Sequence, residues 1–183
     1  MKAYKAKIKG TVRIQFFRDI GDEDGKVGRR SPEEYKKQAQ LRVYRNKDGL
    51  YCPSANIKRA IRVAAGMANI KINRRGADQY LNALMFIDPL EIPFGKDEPD
   101  FIDERMGRIP PGPKGSRVML YRPGLNAGWE LSFTVLLGDE CLTGTMVEQV
   151  ISAAGGMVGI CNGRPEFGRF VLTEWKELKE KKV

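Results

Sequence analysis

Residues 43–65 read V-Y-R-N-K-D-G-L-Y-C-P-S-A-N-I-K-R-A-I-R-V-A-A, which predicts a turn followed by a helix. Asn46, Asp48 and Gly49 mark the turn, and Pro53 stands where the helix begins. Proline fits there because its fixed φ suits the first turn and its missing N–H has no partner to lose. Ile57, Ala60, Ile61 and Ala64 recur at i, i+3, i+4 and i+7, which is one buried stripe. Ser54 and Asn56 are placed to accept from the first unpaired amides. Lys58 and Arg62 lie four apart on another side, with Arg59 nearby. Three cations beside free backbone N–H groups suit a phosphate. A solvated helix face is the plainer reading of the same residues.

Charge placement favours the phosphate. The chain has 183 residues, 32 Lys and Arg against 23 Asp and Glu, and a net charge of +9. Residues 1–90 carry 20 basic and 9 acidic side chains; residues 91–183 carry 12 and 14. A solvated surface needs no such asymmetry, whereas a polyanion-binding half does. A membrane is the competing polyanion, but no apolar run approaches the roughly 20 residues of a spanning helix, and no signal peptide is evident. The three cysteines, Cys52, Cys141 and Cys161, are far apart and odd in number, so a reducing cytoplasm is expected. The chain has no histidine. Imidazole acid–base catalysis and Ser-His triads are thereby excluded, leaving carboxylates, Lys, Tyr or a carboxylate-held metal for any chemistry.

Alternation of apolar residues with Lys5, Lys7, Lys9, Arg13 and Gln15 predicts one long strand over residues 3–17. A polar excursion over 18–50 follows, with a short helix expected from Ser31, where S-P-E-E is a capping signature. After the helix at Pro53, strands are expected over 81–92, 117–121 and 129–137, the last two as a hairpin. Residues 93–116 are rich in Pro, Gly and charge and read as an inserted loop. Met146, Val147, Val150, Ile151 and Ala154 share a face of a second helix, with Thr143 or Thr145 as cap and Gly155-Gly156 as its end. A Gly-rich loop leads to a last strand over 169–175 and a charged tail. The order is β-α-β-β-α-β in one domain spanning 1–183. The expected fold is an α+β, ferredoxin-like or RRM-like antiparallel sheet with two helices and insertions at about 18–50 and 93–116.

Three features together resemble the RAMP superfamily, the RNA-binding subunits of CRISPR effector complexes, and within it the subunits that coat the guide RNA. They are the first strand with I-K-G-T-V-R-I, the helix-opening motif, and the Gly-rich loop of residues 155–168 before the last strand. The family's helix opens Ile-Pro-Gly-Ser-Ser-Leu-Lys-Gly. Here the stretch is Cys52-Pro53-Ser54-Ala55-Asn56-Ile57-Lys58-Arg59, which keeps the kind at Pro53, Ile57 and Lys58 and departs at both glycines and both serines. The resemblance implies a cytoplasmic antiviral-defence protein that binds single-stranded RNA through its backbone. Self-association on that RNA, or contact with other effector subunits, is implied as well.

The candidate nucleic-acid-binding residues are Arg13, Ser54, Asn56, Lys58, Arg59, Arg62, Gly163, Arg164 and Arg169. Glycines let backbone amides approach a phosphate closely. RNA and DNA both remain open, since contacts to the 2′-hydroxyl decide between them. Phe16, Phe17, Tyr44 and Tyr51 are candidate base-stacking groups, and Trp129, Phe133 and Trp175 are assigned to the core or sheet. Asp19, Asp22, Glu23 and Asp24 form an acidic knot. Some RAMP subunits cleave target RNA from this loop, so the alternative function is a Mg²⁺-dependent ribonuclease with Asp22 and Asp24 as catalytic residues. A solvated turn is the plainer reading, and no cofactor is expected. A viral mimic or inhibitor of such a complex is a further alternative.

Overall fold

In a computed structural model, residues 1–20, 31–72, 74–108 and 117–178 are described. The chain runs β1 (Lys2–Gly10), β2 (Ile14–Gln15), α1 (Pro32–Leu41), β3 (Arg45–Asn46), β4 (Gly49–Pro53), α2 (Ser54–Met67), β5 (Lys71–Ile72), β6 (Arg75–Gly76), α3 (Ala77–Leu84), β7 (Met85–Asp88), β8 (Glu91–Pro93), β9 (Phe101–Arg108), β10 (Arg117–Leu125), β11 (Glu130–Leu137), α4 (Gly144–Met157) and β12 (Phe170–Leu178).

The central sheet has the order β12-β1-β11-β7, and all its pairings are antiparallel. Tyr4, Ala6 and Ile8 of β1 point inward between Leu131, Phe133 and Val135 of β11 and Phe170 of β12. Onto that face pack α2, through Ile57, Ala60, Ile61 and Ala64, and α4, through Val147, Val150, Ile151 and Ala154. Each fully buried Ile or Val contributes roughly 1.5–3 kcal/mol relative to exposure, so the two stripes hold the helices to the sheet. Stripped to these elements the order is β1-α2-β7-β11-α4-β12, and the chain is an α+β protein of the ferredoxin-like, RRM-like plan.

Several boundaries differ from expectation, each for a local reason. The strand over 3–17 is two strands. At Gly10 a Cβ would stand 2.1 Å from the Trp129 ring, and the Trp129 indole donates to the Val12 carbonyl at 3.0 Å. The backbone therefore turns after Gly10, and Ile14–Gln15 joins a second sheet, β2-β10-β9. The strand over 81–92 starts at Met85, because Ala77 and Leu81 bury at helical spacing in α3. Beyond Pro89, β8 leaves to pair with β4. The hairpin of 117–121 with 129–137 does not form: β10 pairs with β9 and β2, while β11 pairs with β1 and β7.

The two expected insertions hold regular structure. Residues 18–50 contain α1, with the Ser31 hydroxyl accepting from the Glu34 amide and the Glu34 carboxylate accepting from the Ser31 amide. Residues 93–116 contain β9. Asp100, just before β9, accepts from Lys96 and from the Asn126 amide at 2.8 Å. At the other end of the chain α4, capped by Thr143, runs through both glycines to Met157. Gly155 is kept inside because a Cβ there would meet the Phe170 carbonyl oxygen at 2.1 Å. The last strand reaches Leu178, so the start of the charged tail is sheet.

The close approach at Gly155 sets a paired test. Gly155→Ala should destabilise by about 1–3 kcal/mol, because overpacking forces the helix off the sheet. Gly156→Ala, where nothing lies within 4 Å, should be neutral or stabilising by up to about 1 kcal/mol. Urea denaturation followed by circular dichroism measures both.

Acid should act at the start of the β9–β10 sheet. The Lys96 ammonium, aided by the Asn126 amide, holds the Asp100 carboxyl below its ordinary range, and Arg105 does the same to Asp103. A carboxylate lowered in the folded state contributes stability that is present above its unfolded pKa and lost as pH falls through the folded value. Thermal midpoints should therefore decline below about pH 4. Asp100→Asn should flatten that decline, as read from melts across the acid range.

Candidate nucleic-acid interface

The Gly-rich loop between α4 and β12 is pinned against the strand that left the central sheet. Gln15 accepts from the Asn162 amide at 3.0 Å, and the Arg13 carbonyl accepts from the Gly168 amide at 2.8 Å. The loop also closes on itself, Ile160 donating to Gly168 at 3.0 Å. Gly163 sits at φ +71°, and a Cβ there would come within 2.9 Å of the Gln15 side-chain oxygen and of Phe167. Glycine is required at that position by both conformation and space. Gln15 is fully buried, and its side-chain amide has no hydrogen-bond partner among the described residues.

This pinning faces the loop towards α2 across a groove of about 580 Å³. Arg59 comes from the second turn of α2, Arg164 from the loop, and Arg122 from β10. No carboxylate lines the groove among the described residues. Burial, and then the Arg59 charge, lowers the Arg164 pKa; burial, and then Arg105, lowers that of Arg122. Both guanidiniums stay charged at neutral pH; each is partly desolvated and repelled by a neighbouring arginine, and Asp103 offsets part of this for Arg122. With the Asn162 amide turned so that its carbonyl faces Arg122, that oxygen accepts from the guanidinium at 2.9 and 3.2 Å. One wall of the groove has an apolar patch: Val63 and Met67, which continue the face of α2 that carries Arg59, and Met157 at the end of α4.

Of the residues expected at the site, Arg59, Gly163 and Arg164 line this groove together. Arg169 lies beside it, its side chain donating to the Pro165 carbonyl at 2.8 Å. Arg13 is exposed, with its guanidinium 5.1 Å over the Phe101 ring. Lys58 and Arg62 are not in the groove. Lys58 is half-buried 5.3 Å over the Phe86 ring, and burial and then Arg62 lower its pKa. The Arg62 Nε is buried without a hydrogen-bond partner among the described residues. One residue of helical rotation separates Arg59 from that pair, which is why a cluster in the sequence divides in space.

Ser54 and Asn56 do not cap α2. The N-cap is Pro53, with no side-chain bond to the first amides, and the Ser54 amide donates to the Leu90 carbonyl at 2.8 Å. Asp22 and Asp24 lie outside the described residues. Among the described residues, no group of three or more His, Cys, Asp or Glu is placed to hold a metal ion.

The aromatic candidates also separate. Phe16 is fully buried edge-on to Phe94, and Tyr44 and Tyr51 are half-buried against each other. Phe17 is 47% exposed, with the Arg42 and Arg122 guanidiniums 5.0 and 5.6 Å from its ring centre. Trp129 and Phe133 are core, and Trp175 stacks on Tyr4. Cys52 is buried, its sulfur 3.8 Å from that of Cys161.

Sequence reasoning missed Arg122, Asn162 and the apolar wall. Arg122 lay in a stretch read as a turn, and its side chain reaches the groove only because β10 pairs with β2. The wall had a signal: Arg59, Val63 and Met67 repeat at i, i+4 and i+8 on one face of α2.

The outer face of the central sheet is a weaker site. Lys5 pairs with Glu174 at 3.1 Å, Lys7 with Glu130 at 2.7 Å, and Lys9 with Glu130 at 3.9 Å. The outward residues of β1 and β11 include no aromatic ring, so the base-stacking platform of an RNA-recognition sheet is missing from its two central strands.

The fold has solved counterparts. The chain is similar to a chain of the Type III-B Cmr-beta complex bound to cognate target RNA, with a TM-score of 0.60 and 10% identity over 97% of this chain and 61% of that one. It is also similar to Cmr6 from Pyrococcus furiosus, with a TM-score of 0.49 and 13% identity over 92% and 96% of the two chains. No family model matches the chain, and no curated protein matches it in sequence. The likeness is one of fold, and the chain spans only 61% of the Cmr-beta chain. No helix among the described residues is long and apolar enough to cross a membrane.

Cations gathered in the groove without a lining carboxylate give a test in the melting curve. Sulfate or pyrophosphate should raise the thermal midpoint of the wild type, since a ligand that binds only the folded state stabilises it, by about 2.7 kcal/mol at one hundred times its dissociation constant. Arg59→Ala with Arg164→Ala should melt no lower than wild type in low salt and lose most of the anion effect in scanning fluorimetry.

Proposed function

We propose that the protein binds single-stranded RNA along its phosphate backbone, as a RAMP-like subunit that coats guide RNA or joins an effector assembly. The observation that carries this reading is the convergence of Arg59, Arg122 and Arg164 in one groove without a carboxylate. Cations already paired with Glu130 or Glu174 gain little from a phosphate, because they give up one anion to take another. Guanidiniums with no carboxylate beside them in the groove's described lining gain a charge-assisted, bidentate partner. The fold supports RNA as the polyanion, since the Cmr-beta complex of that fold is bound to target RNA. Repetition along a strand, with contacts to further copies or other subunits, belongs to the same proposal. No observation among the described residues favours the Mg²⁺-dependent ribonuclease.

The test is salt-dependent binding of labelled oligouridine followed by anisotropy. Log affinity should fall linearly with log salt, and Arg122→Ala with Arg164→Ala should reduce the slope by about 1.4, at roughly 0.7 per phosphate contact on a single strand. Lys5→Ala with Lys7→Ala should leave the slope unchanged. A groove variant with wild-type affinity and slope defeats the assignment. Light scattering on strands of increasing length reads the coating: bound mass should rise with length, and a constant one protein per strand would reduce the reading to an isolated binder.

A further inference from the structure

The apolar wall of the groove does something that phosphate binding does not require. Val63, Met67 and Met157 are 41%, 62% and 41% exposed, and they line the same groove as three guanidiniums. Single exposed hydrophobic residues are ordinary on a protein surface, but a cluster lining a concave, cationic groove is not. An inorganic anion would satisfy the arginines and leave the wall wet. An apolar protein segment would cover the wall and leave the arginines desolvated without a counter-charge. A nucleotide has one anionic part and one flat, largely apolar part, and it satisfies the guanidiniums and the apolar patch together.

From this juxtaposition we infer that the groove between α2 and the Gly-rich loop holds one splayed nucleotide of the bound strand. Its phosphate lies on Arg59, Arg122 and Arg164, and its unpaired base lies against Val63, Met67 and Met157. The inference rests on the RNA-binding reading and adds a base compartment to it. A volume of about 580 Å³ falls within the range of small-ligand sites, so it is large enough for a nucleotide and far too small for a folded partner. Two of the three wall residues are methionines, whose unbranched, polarizable thioethers adapt to any aromatic face. The compartment should therefore accept every base and read none, which is what a protein acting on arbitrary strands requires. The strand has a continuation, since Arg122 also lies 5.6 Å from the exposed ring of Phe17.

The experiment compares two strands of equal length and charge, one natural and one with stable abasic spacers at successive interior positions. Anisotropy should show the wild type binding the natural strand about five-fold more tightly, near the lower end of the per-base contribution of stacking. Val63→Ser with Met67→Ser and Met157→Ser, at positions already exposed, should bring the ratio towards one and leave the salt slope intact. Met67→Leu should retain the ratio. Arg59→Ala with Arg164→Ala should weaken both strands alike. Equal binding of the two strands by wild type, with a normal salt slope, would overturn the base compartment and spare the backbone reading. Absence of salt-dependent binding to either strand would overturn the backbone reading and the compartment with it. Displacement of the strand by micromolar adenosine monophosphate would also overturn the inference, since the groove would then be a site for free nucleotides.

Discussion

The contact of Trp129 with Gly10 decides the layout of the site. The indole occupies the space a side chain at residue 10 would need, and its N–H holds the Val12 carbonyl. That contact ends β1 and turns the backbone, so that Ile14–Gln15 pairs with β10 and not with the central sheet. The displaced strand then supplies the Gln15 and Arg13 carbonyls that tie down the Gly-rich loop. Arg164 reaches the groove from that loop, and Arg122 reaches it from the strand with which β2 pairs. One ring on one glycine thus connects the core of the sheet to two of the three cations of the interface.

Cations in this protein are held in two ways, and the distinction sorts structure from candidate function. Lysines on the outer sheet face are matched with glutamates, and exposed pairs of that kind contribute little, typically below about 1 kcal/mol. Around the groove, rings replace carboxylates. Arg13 lies over Phe101, Arg42 and Arg122 over Phe17, and Arg105 over Phe167. A ring orients a guanidinium through its quadrupole without cancelling the charge, so the cation is positioned and still available to an anion. Arg105 does both, since Asp103 and Glu166 also face it. It joins β9 to the loop and serves as a brace.

The sequence shows the core of the fold clearly and the site only in part. Helical spacing located α2 and α4, alternation located β1 and β11, and their order gave the ferredoxin-like plan, because burial periodicity is a local property. Pairing is not local. Nothing in residues 117–121 announces that their partner is 101–108 and not 129–137, and a Pro- and Gly-rich spacing invites the wrong hairpin. The same limit applies to the site. Arg59 and Arg164 were legible because helix start and Gly-rich loop have local signatures. Arg122 was not, because its place depends on a strand pairing. Lys58 and Arg62 fall outside the groove because proximity in sequence ignores the 100° between neighbours on a helix.

The described residues of the two insertions fold against the rest of the protein, and this bears on how an assembly would form. Lys36 of α1 pairs with Glu104 of β9 at 2.7 Å, and Tyr35 stacks near Tyr121 of β10. Arg45 reaches across from β3 to Glu98 and to the Asp97 carbonyl. Residues from both insertions therefore build one accessory layer around β2-β10-β9, adjoining Phe17 and the groove. A flexible arm reaching a neighbour would lose conformational entropy on each docking, whereas a pre-folded layer has already lost it during folding. Any contact between copies would then be made by rigid surfaces whose geometry is set before RNA arrives. Under the proposed function, copies that met through this layer would be spaced along RNA by the protein and not by the sequence of the strand.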